Sequence, residues 1–260
     1  MQEHEYTENW DSYPSPVDAT RVGFFFVDLG LVEIAPIVDK PNLVRLRLTI
    51  LQPEETGMPD ERESAVLNEL EDLLVTTMAS QFDGIYSGRV TIEGERSFYF
   101  YIGVQTAGYD KALARVMADF PGYVYECHLQ NDPQWDNYLK FLFPEPVQLQ
   151  SMQNRRVVYQ LSQHGDQSDV PRPVEHWIYF KTKRDREAYW NKVNEKGFEL
   201  IEMATDRDNG GEYPYSLHIT RDDKADYDCI DECVLPLWGL ATEYNGNYDG
   251  WETGVVSGGK

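Results

Sequence analysis

Residues 43–50 read Leu-Val-Arg-Leu-Arg-Leu-Thr-Ile, an alternation of apolar and polar side chains. A strand turns successive side chains to opposite faces, so this octet predicts a strand with one face buried. Downstream, Val66, Leu67, Leu70, Leu73, Leu74 and Met78 recur at the three- and four-residue spacing of a helix. Asp60, with Glu63 three residues on, marks the start of that helix. Residues 85–92 and 97–104 are two further β-rich runs, joined by Glu93-Gly94-Glu95-Arg96 as a hairpin turn. A short helix over 109–119 ends before Pro121-Gly122, and 123–129 supplies another strand. A leading segment near 24–34 and one more helix over 134–143 complete this half.

The order repeats further on. Residues 174–181 read as a strand and 184–195 as a helix closed by Gly197. Residues 198–205 and 213–220 form a hairpin around Asp208-Asn209-Gly210-Gly211. A helix over 226–244 stops at Asn245-Gly246, and 248–256 is the final strand. An additional helix lies near 148–164. The prolines of Phe143-Pro144-Glu145-Pro146 break helix and strand alike and divide the chain into 1–147 and 148–260. Each part has the order β-α-β-β-α-β. The expected fold class is therefore α+β: two ferredoxin-like antiparallel α/β sandwiches, each with two helices on one sheet face.

With 260 residues, 41% hydrophobic and 13% aromatic, the chain has enough apolar surface for such cores. Its formal charge is −22. Residues 1–148 hold 25 acidic and 10 basic groups, a net of −15, so the acidity is concentrated early. A field of that sign repels phosphate backbones, so no direct nucleic-acid binding is expected, whereas a basic protein partner suits it. No run approaches the ~20 apolar residues of a membrane helix. Residues 1–10 lack the basic and apolar regions of a secretory signal, and the odd count of three cysteines points to a reducing compartment. The cytoplasm is the expected location.

Residues able to carry chemistry are few. His4, His128, His164, His176 and His218 form no ligand motif, and the two on strands, His176 and His218, read as hydrogen-bonded structural residues. Cys229 and Cys233 share a helix face, but a zinc site wants four ligands, so they read as small core residues. Asp206-Arg207-Asp208-Asn209-Gly210-Gly211 resembles the start of a calcium loop. The position of its bidentate glutamate is Leu217, and a hairpin turn explains the run. Nucleophile-elbow, phosphate-loop and dinucleotide motifs are absent, so no catalytic residue, cofactor or metal site is assigned. Trp177, Trp238 and Trp251 read as core anchors, with an interface as the alternative. Arg172 and His176 flank the first strand of the second half, where Asp249 or Glu252 would pair with them in a polar network. Asn245-Gly246 and Asp249-Gly250 read as positive-φ turns. Asp222, Asp223, Asp226, Asp228, Asp231 and Glu232 crowd the start of the last helix: six carboxylates within eleven residues. They complement the helix dipole, and any surplus would present an acidic edge to a basic partner.

Gly165-Asp166 with Pro171-Arg172-Pro173-Val174-Glu175-His176-Trp177-Ile178-Tyr179-Phe180, then Gly197-Phe198, and finally Tyr248-Asp249-Gly250-Trp251-Glu252 resemble the regulator of ribonuclease activity B family. The resemblance covers roughly residues 150–256. It implies a ferredoxin-like fold and a non-catalytic regulator without cofactor. Founding members of that bacterial family bind ribonuclease E outside its catalytic centre, whose scaffold carries arginine-rich stretches. The first half, through Gly57-Met58-Pro59, Gly88-Arg89-Val90-Thr91, Arg96-Ser97-Phe98-Tyr99-Phe100-Tyr101 and Phe143-Pro144, resembles a bacterial domain of unknown function, number 695. That resemblance implies no activity. Two rival readings stand beside the regulator: a structural or assembly module, and an enzyme with a site at the domain junction.

Overall fold

A hairpin absent from the patterning opens the chain: β1 (Trp10–Pro16) pairs antiparallel with β2 (Val22–Asp28) in the computed structural model, which describes residues 6–18, 20–206 and 211–257. The expected order follows as β3 (Asn42–Thr49), α1 (Glu61–Phe82), β4 (Ile85–Ile92), β5 (Glu95–Ile102), α2 (Tyr109–Met117) and β6 (Tyr125–Asn131). The sheet runs β1-β2-β4-β5-β3-β6 with every pairing antiparallel. From the β6 edge inward, the unit's fourth, first, third and second ferredoxin-like strands lie side by side, and the opening hairpin extends the sheet.

Local chemistry explains the main helix. Asp60 accepts the Glu63 N–H at 2.7 Å and caps α1. The Glu63 carboxylate completes no capping box; it accepts the N–H groups of Leu51 and Gln52 at 2.7 and 3.0 Å. Leu67, Leu70, Leu74 and Met78 pack on Val44, Leu46, Leu48, Phe98 and Phe100, whereas Val66 and Leu73 are 40% and 41% exposed. Glu93 and Gly94 both take positive φ, 47° and 80°, as a two-residue hairpin loop requires.

The helix expected over 134–143 shrinks to one π-helical turn, Tyr138–Leu142. The buried Asp132 carboxylate takes the N–H groups of Asp136 and Asn137 at 2.9 and 3.0 Å, and Trp135 sits at φ 54°, outside helical space. This segment covers part of the sheet face that α1 and α2 leave bare: Trp135 stacks on Tyr101 at 3.8 Å, and the Tyr138 hydroxyl donates to the Asp28 carbonyl at 2.8 Å.

The chain divides into two compact units between Pro144 and Glu145. The second unit opens on α3 (Pro146–Gln163), where Glu145 and Gln148 form a capping box ahead of the expected start. Then come β7 (Arg172–Phe180), α4 (Lys183–Asn194), β8 (Glu199–Thr205), β9 (Tyr215–Asp223), α5 (Tyr227–Glu243) and β10 (Gly246–Thr253). The antiparallel sheet order β10-β7-β9-β8 is again fourth, first, third, second. Val174, Ile178, Phe180, Leu217 and Ile219 fill the face beneath Tyr189 and Val193 of α4 and Ile230, Val234 and Leu237 of α5. Asp208, Asn209 and Gly210 of the expected hairpin turn lie outside the described residues, as does His4.

Two turn assignments are corrected. Asn245 takes positive φ, 52°, but Gly246 does not; a Cβ on Gly246 would come within 2.6 Å of the Phe180 ring, so close packing demands the glycine. Asp249-Gly250 is no turn. It lies within β10, where the register with β7 shifts between Tyr248 and Gly250 as a bulge.

Candidate functional site

Arg172, at the start of β7, pairs with neither Asp249 nor Glu252, both of which are exposed. Its Nη2 donates to Asp166 at 2.6 Å, and the two side chains are 6% and 1% exposed. Nη1 donates to the Gln167 and Val170 carbonyls at 3.1 and 3.3 Å, and Nε to Thr253 at 3.2 Å. The other Asp166 oxygen accepts the Val256 N–H at 2.8 Å. The pair therefore ties the loop before β7 to the tail after β10, a short-range partner that a search along the strands misses.

His176 is fully buried and heads a chain of hydrogen bonds. Its Nδ1 lies 2.7 Å from the Tyr248 hydroxyl, and its Nε2 lies 3.7 Å from Cys233 Sγ. The Cys233 thiol donates to Asp223 at 3.5 Å, which leaves the sulfur to accept from Nε2–H and Nδ1 to accept from Tyr248. Asp223 is held in turn by Arg221 at 2.8 and 3.0 Å, and Arg221 lies 4.3 Å over the Phe198 ring. Burial pushes the Cys233 thiol up to about 12, with Asp223 adding to the shift. It pushes His176 down to about 3, against the pull of Asp223. A neutral thiol beside a neutral imidazole is no activated nucleophile. The cluster packs and orders the unit.

This burial carries a prediction. The unfolded chain takes up a proton on His176 near pH 6.5, the ordinary value for an imidazole, whereas the folded chain resists until about pH 3. Stability is therefore full above about pH 6.5 and falls as the pH drops below it, by about 1.4 kcal/mol per unit. At pH 5 the loss is roughly 2 kcal/mol. Urea unfolding between pH 7 and 4 should show this slope, flattened in His176→Gln; an equal slope in that variant would refute the assignment.

The six carboxylates around the start of α5 divide by role. Asp226 caps the helix by accepting the Cys229 N–H at 2.9 Å, which lowers its pKa. Asp223 belongs to the buried chain. Asp231 accepts hydrogen bonds from Ser151 and, at 2.7 Å, from Asn154 of α3. Asn154 also accepts from Trp251 Nε1 at 3.0 Å, and it is 1% exposed. The sequence signal for Asn154 is its place in the buried i, i+4 row Gln150, Asn154, Val158. Asp222, Asp228 and Glu232 are exposed and hold no ion pair among the described residues.

The sheet face turned away from the helices is acidic. By register, Glu175 of β7, Glu199 and Glu202 of β8, Asp222 of β9 and Glu252 of β10 share it. Trp177 belongs to it as well, not to the core: its ring stacks on His218 at 4.3 Å, and His218 Nε2 meets Glu175 at 2.7 Å. Strand parity decides this, because His176 takes the core-facing position and its neighbour must face outward. Trp251, 8% exposed, does pack in the core, and Trp238 packs against it.

Residues 8–143 match a family described as of unknown function (DUF695), and residues 151–253 match the family described as regulator of ribonuclease activity B. No curated protein matches the chain. Solved structures similar to it include these two. One, an unknown protein from Galdieria sulphuraria, has 9% identity over 83% of this chain and 99% of that one, with a TM-score of 0.22. The other, a candidate glycine cleavage system transcriptional repressor, has 10% identity over 82% and 98%, with a TM-score of 0.20. Likenesses this weak bear on neither fold nor function.

Proposed function

We propose that this chain, which belongs to the DUF695 family of unknown function and matches the regulator of ribonuclease activity B family over residues 151–253, is a non-catalytic cytoplasmic regulator of RNA turnover. It acts by binding a basic segment of a protein partner, a ribonuclease of the ribonuclease E type. The match over residues 151–253 carries this reading. The geometry supports it: Asp222, Asp228 and Glu232 remain exposed after capping and packing have used the other three carboxylates of the group. Trp177 lies on the same outward face as Glu175, Glu199, Glu202, Asp222 and Glu252, an aromatic anchor set among negative charges. Surface charges of this kind act mainly on encounter, so binding is expected to weaken steeply with salt.

The test is an affinity pull-down with the full chain, followed by titration against the purified ribonuclease. Wild type should recover the nuclease at low ionic strength. Asp222→Asn combined with Asp228→Asn and Glu232→Gln should weaken binding by about tenfold, as should Trp177→Ala alone. Recovery of no nuclease at low salt would sink the proposal, as would variants that bind like wild type.

A further inference from the structure

The first unit holds a cavity of about 600 Å³ on the sheet face opposite α1 and α2. Its floor is built from the outward positions of β3, β4 and β5: Arg45 and Arg47, Val90, and Ser97 and Tyr99. Phe141, from the turn after Trp135, forms a wall. Arg21, Arg45 and Arg47 all line the space, three of the ten basic residues of a half whose net charge is −15.

Two of the three are already neutralised. Arg47 pairs with Glu95 at 3.0 Å and with Glu126 at 2.5 Å. Arg21 pairs with Asp18 at 2.5 Å and lies 4.0 Å from Glu93. Arg45 has no carboxylate partner among the described residues, and its Nε is buried without a hydrogen-bond partner. A guanidinium N–H removed from water and left unpaired is costly, and an oxyanion is the group that its geometry fits. Burial raises the pKa of the Tyr99 hydroxyl, against the charges of Arg45 and Arg47 and the hydrogen bonds it accepts from Arg45 and Ser97, so the phenol stays neutral and keeps its own proton to donate. Ile50, Val90, Ile92 and Phe141 give the lining an apolar share beside its charged groups, which include the Glu93 and Glu95 carboxylates that face Arg21 and Arg47, and the volume suits a small molecule.

The geometry points to a binding site in this cavity for a small organic molecule that carries one oxyanion, a carboxylate or phosphate, on an apolar body. Arg45 pairs with the oxyanion, Ser97 and Tyr99 donate to it, and Val90 and Phe141 pack on the body. One uncompensated guanidinium sets the charge, and a bare anion would leave the apolar wall unused. The site is independent of the ribonuclease reading, because it lies in the other unit.

Phenyl phosphate, benzoate and inorganic phosphate are the probes, titrated into the full chain by calorimetry. Phenyl phosphate or benzoate should bind in the millimolar range or tighter, and inorganic phosphate at least about tenfold more weakly. Arg45→Gln should weaken the organic anion by about tenfold or more, while Arg47→Gln changes it far less. Protection of Arg45 from phenylglyoxal in the wild-type chain, read by mass spectrometry, serves where Arg45→Gln fails to fold. Absence of binding by both organic probes, equal affinity for inorganic phosphate, undiminished affinity in a folded Arg45→Gln, or an Arg45 that the probe leaves unprotected would each overturn the site.

Discussion

Arg172→Ala is expected to lower the stability of the second unit by about 3–5 kcal/mol, the range found when one member of a buried ion pair is removed. Its partner Asp166 is 1% exposed on its side chain, so water cannot replace the guanidinium without opening the structure. The carbonyls of Gln167 and Val170 lose a donor at the same time. Hydrogen exchange by mass spectrometry on the full chain separates the two units. Amides of the loop before β7 and of the tail near Val256 should lose protection first, because both hang on the same carboxylate. Asp166→Asn added to Arg172→Ala removes the stranded charge and should restore part of the loss. A midpoint within about 1 kcal/mol of wild type for Arg172→Ala would show that the pair contributes no net stability.

Trp135→Ala should destabilise the first unit by a similar amount, about 3–5 kcal/mol. The indole is fully buried, lies flat on Tyr101 at 3.8 Å and 9°, and donates its N–H to the Lys40 carbonyl at 2.9 Å. Its backbone is left-handed, at φ 54°, a cost that the surrounding contacts must offset. Trp135→Phe keeps part of the stack but strands the Lys40 carbonyl, so an intermediate loss is expected. Near-ultraviolet circular dichroism during urea unfolding reads both, with protection of the second unit unchanged. An alanine variant as stable as wild type would mean that the segment after β6 is not part of the core.

The same segment shows how far local patterning reaches. Residues 134–143 have helical spacing, yet Asp132 captures the N–H groups of Asp136 and Asn137, and only one turn forms. The aromatic residues follow the shape of the bare sheet face, which no window of ten residues contains. The opening hairpin is missed for a related reason: β1, Trp-Asp-Ser-Tyr-Pro-Ser-Pro, gains its identity by pairing with β2 along the sheet edge.

The candidate surfaces divide in the same way. Six carboxylates at the start of α5 are legible as a group, but which are free depends on Ser151 and Asn154, about eighty residues away. Trp177 and Trp251 look alike as letters; strand parity and register send one outward and the other onto Asn154. Arg45, whose Nε lacks a hydrogen-bond partner, is one arginine of an alternating strand until β4, β5 and Phe141 build a cavity around it.

By itself the sequence determined the two β-α-β-β-α-β orders, the helix cap at Asp60, and the family resemblances, because periodicity, capping and motif strings act over a few residues. Only the tertiary structure decided the partners of Arg172 and His176, the side on which each tryptophan lies and the charge balance of the cavity. Each of those depends on desolvation and on contacts between strands far apart in the chain, and neither exists until the sheets have formed.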